Sequence, residues 1–444
     1  MTGKGILGSR KARVLALACL VVPMFASYFF DDMFSSVSHL FGNPAALELG
    51  WDARDLGNFI GDYSLLCVCG GLIVGGILLD VFGIRRMGSV FVGMMALGAA
   101  MAYFGVAGGL PKGSAIALGR AGSMLFGLGS EIAGVAVTRS IAKWFKDGRM
   151  SLAMGLQLAI ARGGTAIALV AAPFIVGVPK DFYTVQDTAR PALIGLALIL
   201  AGVAVWALFV ALDAAKDRSE GIGSQRGEVG SEEKFSFRDI LSLLKNPRFV
   251  IIGLLCVSFY CCVSSFKKFG TAVVIPRFGI EAGAAGTMVA MIPFFTIIFT
   301  PLFGAVVDKT GKAAAWMILG SVAVLLGHLC LAFAPQGAQF FGYAGIGLLG
   351  LGYSLVPSAM WPSVPKIVPE KALGTAYSLI YWIQNVGLFF VPKIVGGMLG
   401  RDSGIEGVAR GENLFVGLGA AAICLALILY RLKINDTRQS VRNS

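Results

Sequence analysis

Gly76-Ile-Leu-Leu-Asp80-Val-Phe-Gly83-Ile-Arg85-Arg86 in the first half of the chain and Gly304-Ala-Val-Val-Asp308-Lys-Thr-Gly311-Lys312 in the second decide how the sequence is read. Each joins two apolar segments. In each, an aspartate caps or pairs, a glycine breaks the helix, and basic residues follow. The leading glycines, Gly76 and Gly304, are expected to let two helices approach. A charged loop that arises by chance does not recur at matching places in two six-segment halves, so the pair is read as an internal repeat.

Working outward, apolar segments recur along the whole chain at roughly 13–36, 55–79, 84–107, 114–142, 149–176, 190–212, 248–275, 282–306, 313–334, 339–365, 371–399 and 412–432. Each is long enough to cross a bilayer as a helix, where every backbone polar group must be satisfied internally. The 444 residues are 56% apolar and 14% charged, against about 25% charged in a typical soluble domain. The expected fold class is therefore an all-α membrane protein of twelve transmembrane helices in two six-helix bundles. The expected division is a bundle over 1–212, a cytoplasmic linker over 213–247, and a second bundle with a tail over 248–444. A short amphipathic helix is expected from Ser236 to Leu244. The first apolar segment is read as a retained helix, because no small-residue cleavage pattern closes it and Asp31-Asp32 follow.

The net charge of +12 is a membrane signature and does not point to nucleic acid. Of the 37 Lys and Arg, 24 fall on segments of one side, 7 on the other, and six within helices. That asymmetry places both termini in the cytoplasm. Two histidines make a His-rich metal site improbable, and no metal or cofactor is expected. The eight cysteines, among them Cys67, Cys69, Cys256, Cys261 and Cys262, read as small hydrophobes. No glycine-rich loop ends in Lys-Ser/Thr, so ATP is not the driver. No nucleophile–base constellation stands out, so an enzyme is not expected.

Charges inside apolar segments are costly, at least about 2.5–3.5 kcal/mol each even on a lenient scale. Glu131 in the fourth segment and Arg162 in the fifth both fall near mid-depth, as does Asn385 in the eleventh, counting 1.5 Å per residue. A carboxylate, a guanidinium and an amide at one level suit a zwitterion. The acid takes an ammonium, the planar guanidinium a carboxylate, and the amide a peptide group. The alternative is that Glu131 and Arg162 only pair with each other and stitch two helices. Both readings stand at this stage.

The pattern Gly-x-Leu-x-Asp-x-x-Gly-x-Arg-Arg resembles the signature loop of the major facilitator superfamily. That resemblance implies two six-helix bundles around a central cavity, with Gly76, Asp80, Gly83, Arg85, Arg86, Asp308, Gly311 and Lys312 forming an inner conformational gate. Further stretches are similar to the family of lysosomal dipeptide uniporters and its bacterial relatives. They are Gly127-Leu-Gly-Ser-Glu131, Gly155-Leu-Gln-Leu-Ala-Ile-Ala-Arg162, Met360-Trp361-Pro362, Leu373-Gly-Thr-Ala-Tyr377 and Ile383-Gln-Asn385-Val-Gly-Leu388. What this implies is transport of a small-molecule substrate, a short peptide gripped by its termini. It also implies a multi-pass location, for a bacterial member the inner membrane. Whether a protein partner is needed stays open.

The resemblance extends to Ser27-Tyr28-Phe-x-x-Asp32 and so places Tyr28 and Asp32 near the substrate. The competing reading is a helix end at the membrane interface. Trp361, Trp382 and Tyr381 are candidates for apolar walls, and Pro357, Pro362 and Pro365 are expected to bend or unwind the tenth segment near its inner end. The chain departs from the pattern at Lys267, Lys268, Lys393 and Arg120. Lys267 and Lys268 lie about 100° apart on a helix, so one is expected to snorkel and the other, Lys268, to reach the substrate vestibule. These lysines carry an alternative reading, an organic-anion or sugar-acid transporter of the same fold. A second alternative is a non-transporting membrane receptor or scaffold.

Overall fold

The computed structural model describes residues 10–145, 150–219, 237–369, 372–401 and 405–432. Apart from one isolated bridge between Leu47 and Tyr183, the regular structure among these residues is helical. Twelve helical segments are long and apolar enough to cross a membrane. This is the all-α, twelve-span architecture expected from the sequence. Below, "inner" denotes the side that the positive-charge asymmetry assigns to the cytoplasm.

The helices are α1 (Arg10–Asp32), α2 (Ala53–Asp62), α3 (Leu72–Phe82), α4 (Ile84–Val106), α5 (Lys112–Trp144), α6 (Met150–Val176), α7 (Val185–Ser219), α8 (Phe237–Leu244), α9 (Pro247–Phe278), α10 (Ala282–Thr310), α11 (Ala313–Phe333), α12 (Gln339–Met360), α13 (Leu373–Arg401) and α14 (Ile405–Arg431). The predicted amphipathic helix before the seventh span is α8; Ser236 lies outside the described residues. The remainder of the predicted linker from 220 to 236, the first nine residues and the predicted tail beyond 432 also lie outside them.

The chain falls into two compact units. One comprises Met1–Met33, Asp62–Ala168 and Thr184–Gly230, and the other Phe34–Gly61, Leu169–Tyr183 and Ser231–Ser444. This partition by contact assigns the outer parts of the first, second and fifth spans differently from a division by chain order.

Within the first unit α4 packs along α5, and α7 packs on both α1 and α4. Within the second, α11 packs along α12, and α14 on both α9 and α11. Spans three, four, six and one in one half thus have the same neighbours as spans nine, ten, twelve and seven in the other. We retain the six-and-six division as a proposal on that repeat.

The same device makes both of the closest interfaces. A Cβ at Gly105 would meet the Gly119 backbone at 2.6 Å, and one at Gly129 the Met95 nitrogen at 2.5 Å. In the second unit a Cβ at Gly327 would meet the Gly345 carbonyl at 2.9 Å, and one at Gly352 the Gly320 carbonyl at 2.7 Å. In lipid, burial of apolar surface does not drive helix association, so backbone approach at small residues and the resulting dispersion contacts do.

The second span is not the single helix expected over 55–79. It stops at Asp62, turns at Tyr63-Ser64, and passes through a π-helical turn, Cys67–Gly71, before resuming as α3. Gly70 takes φ +98°, a conformation that costs glycine nothing and any other residue strain. The Gly70-Gly71 pair was the sequence signal for this break. At the tenth span, the predicted loosening is present: α12 ends at Met360 and a 3₁₀ turn, Trp361–Lys366, follows around Pro362 and Pro365. All eight cysteines are free, with Cys67, Cys256, Cys261 and Cys262 buried and Cys69 exposed.

Candidate functional site

The candidate site is built in two parts, one in each unit. In the first unit its centre is Glu131 on α5. Gly127 stands one turn before it, on the same face of the helix. With no side chain at Gly127, the Tyr63 carbonyl lies directly against α5, where a Cβ would clash. The turn after α2 therefore delivers Tyr63 to Glu131, and its phenol donates to Glu131 Oε1 at 3.1 Å. Ser130 Oγ is 3.3 Å from the same phenol oxygen and 2.5 Å from Ser27 Oγ on α1. Three hydroxyls and one carboxylate thus form a continuous polar chain across α1, the broken second span and α5.

Arg162 lies in α6 of the same unit and is partly exposed, as is Tyr28 on α1. Asp32, expected beside the substrate, is instead 1% exposed and accepts from Thr165 Oγ1 at 2.7 Å. Its neighbour Asp31 is the less buried of the two and lies within electrostatic reach of Glu131 and Tyr63. One helical step of 100° separates the two aspartates, so a motif read by spacing alone does not tell which of them faces the polar chain.

Asp62 at the end of α2 and Arg120 of α5 meet. Arg120 Nε donates to Asp62 Oδ2 at 2.5 Å, and the Asp62 carboxylate is fully buried. The pair ties the end of α2 to α5 immediately before the break that presents Tyr63.

In the second unit, Asn385 is 1% exposed on α13. Its Nδ2 donates to the Tyr381 carbonyl one turn back at 3.1 Å, and its Oδ1 has no hydrogen-bond partner among the described residues. A buried amide oxygen without a donor is an exception among native polar groups. Trp361 stacks on Tyr381, with ring centroids 5.0 Å apart, and donates from Nε1 to Tyr260 Oη at 3.1 Å. Tyr377 donates to the Trp361 carbonyl, and Tyr353 stands edge-on to Tyr260. Trp382 is partly exposed on the same helix as Asn385. Lys268 is 7% exposed on α9, its neighbour Lys267 more so. Lys393 places its Nζ 3.7 Å from the centre of the Phe389 ring, a cation–π contact.

The inner loops are also placed. Gly83 ends α3 with φ +80°, and Gly311 ends α10 with φ +67°. Glycine takes such positive φ without strain; Gly311, with ψ 5°, is in the left-handed helical region and Gly83, with ψ 160°, in an extended one. Asp80 pairs with Arg139 of α5. Arg85 reaches Asp217 at 3.2 Å and Asp213 at 3.8 Å on α7. Asp213 also accepts from Lys143 Nζ and Trp144 Nε1, each at 2.8 Å. Arg86, Asp308 and Lys312 are exposed.

Among the described residues Gly76 does not mediate helix approach, since a Cβ there would meet nothing within 4 Å; Gly304 is equally open. The close approach belongs to Gly75, where a Cβ would meet the Ile132 side chain at 2.5 Å. Consecutive residues point 100° apart, and a loop pattern does not fix which of the two glycines faces α5.

Sequence reasoning also missed Tyr63, Asp213 and Glu412. Glu412 is fully buried in α14 and bonded to His328 Nδ1 of α11 at 2.9 Å. The twelfth span was expected to begin at 412, which hid the charge at a helix end; α14 begins at Ile405.

The model of the family described as Major Facilitator Superfamily matches residues 22–392 and 261–443. The lysosomal dipeptide transporter MFSD1 of Homo sapiens is 30% identical over 432 residues, covering 94% of this chain and 86% of that protein. Among solved structures, a D-xylose-proton symporter superposes with a TM-score of 0.71 at 15% identity, covering 97% of this chain and 100% of that one. A peptide transporter superposes with a TM-score of 0.67 at 16% identity, covering 99% and 97%. At such identities the two structures speak for the fold alone.

Proposed function

The chain belongs to the major facilitator superfamily, and on that premise we propose that it is a secondary transporter of dipeptides and other short peptides, working by alternating access. The observation that carries the reading is the pair of opposite charges in one unit, Glu131 in the hydroxyl chain of α5 and Arg162 on α6. An ionisable group in a membrane helix is kept where it has a partner or a ligand. A dipeptide zwitterion supplies both counter-charges at once. Glu131 takes its ammonium and Arg162 its carboxylate, in the two-pronged geometry that a guanidinium offers. The likeness to the human lysosomal dipeptide transporter supports the same assignment.

Asn385 contributes the peptide-group contact through its unused Oδ1. Trp361 and Trp382 form apolar walls for side chains, while Tyr28 and Asp32 complete the set around the ammonium. The Asp32 carboxylate is itself buried and accepts from Thr165 Oγ1. The inner gate consists of Asp80, Gly83, Arg85, Arg86, Asp308, Gly311 and Lys312, with Gly76 contributing no more than its place in the motif. Uniport needs no titrating group, whereas proton symport uses one of the acidic residues. The proposed location is the inner membrane of a bacterial cell with both termini cytoplasmic, on the 24-to-7 asymmetry of basic residues.

The test is counterflow in proteoliposomes with a panel of dipeptides, tripeptides and small carboxylic acids, with and without a pH gradient. Exchange of dipeptides supports the reading, and gradient-independent exchange and net flux select uniport. A second reading, transport of an organic anion, is favoured by Lys268, a cation 93% removed from solvent. Competition by a carboxylic acid but by no peptide selects it and refutes the first.

A further inference from the structure

We infer that Tyr63 is a positioning residue for Glu131, and that it sets how strongly the transporter prefers a free ammonium to a blocked amine; this rests on the peptide reading above.

Three features converge on the phenol. The second span is interrupted where Tyr63 stands, between the end of α2 at Asp62 and the π turn at Cys67–Gly71. An interruption in a membrane helix frees backbone groups that must be satisfied elsewhere, so it is retained where it places something. The break is secured on both sides. Before it, Asp62 is tied to Arg120 of α5 at 2.5 Å. After it, a Cβ at Gly71 would meet Leu128 of α5 at 2.7 Å. Between these ties the Tyr63 backbone lies on Gly127, and its ring stands edge-on to Phe126 with centroids 5.9 Å apart. Every contact of the broken segment named here is with α5, the helix that carries Glu131.

The result is a fixed hydroxyl 3.1 Å from Glu131 Oε1. A glutamate side chain has three rotatable bonds, and an ammonium is a compact donor that does not by itself select a rotamer. With Oε1 engaged by the phenol, the carboxylate plane is set and Oε2 is presented to the ligand. Ser130, 4% exposed, and Ser27, 1% exposed, hold the phenol oxygen in turn. Tyr63 and Glu131 are each of intermediate exposure as whole residues.

The test compares free dipeptide with its N-acetylated form as competitors of dipeptide counterflow by the full-length protein. Tyr63→Phe keeps the ring and its contact with Phe126 and removes only the hydroxyl. A hydrogen bond to a charged group contributes enough that its loss is expected to weaken free-dipeptide competition about tenfold. N-acetyl dipeptide competition stays within about twofold, so the discrimination ratio falls about tenfold. Ser130→Ala, which loosens the phenol without removing it, moves the ratio in the same direction by a smaller factor. A Tyr63→Phe protein with unchanged discrimination overturns the inference and leaves the peptide reading standing. An equal loss for both competitors also overturns it, because that marks a purely structural residue. Absence of any dipeptide counterflow in the wild type removes the peptide reading and this inference with it.

Discussion

His328 and Glu412 join α11 to α14 through one hydrogen bond of 2.9 Å, and both side chains are fully buried. The imidazole is stacked on Phe415, centroids 5.1 Å apart, and edge-on to Phe266 at 5.3 Å. Two atoms of the pair, His328 Nε2 and Glu412 Oε1, have no hydrogen-bond partner among the described residues. Such a pair is expected to contribute little net stability while making each single deletion costly. His328→Leu leaves a carboxyl group in an apolar core, at about 3–5 kcal/mol. Glu412→Leu leaves a neutral imidazole with both nitrogens unsatisfied, at about 1–3 kcal/mol. The double variant removes every buried polar atom at once and is expected to lie within about 1 kcal/mol of wild type, or above it. At about 2–4 °C per kcal/mol for a unit of this size, the order in detergent melting is double variant and wild type highest, Glu412→Leu lower, and His328→Leu lowest by about 10 °C. A thermal unfolding series on the four purified proteins reads out the cycle. Additive losses, with the double variant the least stable, would refute the reasoning.

Three further outcomes follow from particular contacts. Asp213 serves Lys143, Trp144 and Arg85 from a side chain 6% exposed, so Asp213→Asn is expected to lower stability by about 2–3 kcal/mol and Lys143→Ala by less, since Lys143 is more exposed; equal melting temperatures would contradict this. Within the second unit, a Cβ at Gly57 would meet the Pro392 carbonyl at 2.6 Å and Gly396 Cα at 2.9 Å. Gly57→Val therefore has to push α2 off α13, costing about 1–3 kcal/mol, and is expected to raise labelling of an engineered outer cysteine by an impermeant maleimide; unchanged labelling argues against the contact. Trp361→Phe loses the 3.1 Å bond to Tyr260 but keeps an aromatic face toward Tyr381, and is expected to shift the KM of dipeptides with apolar side chains up to about fivefold, with Gly-Gly unaffected; an equal shift for both would make Trp361 structural.

The spans were legible because lipid imposes one strong constraint, a helix of about twenty apolar residues, and composition alone reports it. The inner turns were legible for a similar reason: Gly83 and Gly311 end their helices at positive φ, which few other residues tolerate. What sequence did not resolve is azimuth. Asp31 and Asp32, like Gly75 and Gly76, differ by one helical step, and only packing decides which faces α5. Partners distant in sequence were likewise invisible. Asp62 and Arg120 pair across helices, and no spacing rule joins residues on different helices. Tyr63 was passed over because the second span was read as continuous, and an aromatic residue inside a continuous membrane helix is ordinarily packing. The Gly70-Gly71 pair was the one local clue that the helix opens there. Glu412 was lost through a helix start set seven residues late, an error that moved a buried charge to an apparent membrane boundary.

The central claim is that a short peptide is held by its two charged ends on Glu131 and Arg162. It is tested most directly by dipeptide counterflow into proteoliposomes containing wild type, Glu131→Gln or Arg162→Gln, each first shown to be monodisperse. The account predicts exchange by wild type and loss of at least about 99% of it in either variant, since each loses a charge-assisted contact of about 3 kcal/mol. Exchange retained by either neutralised variant at the wild-type rate would contradict it.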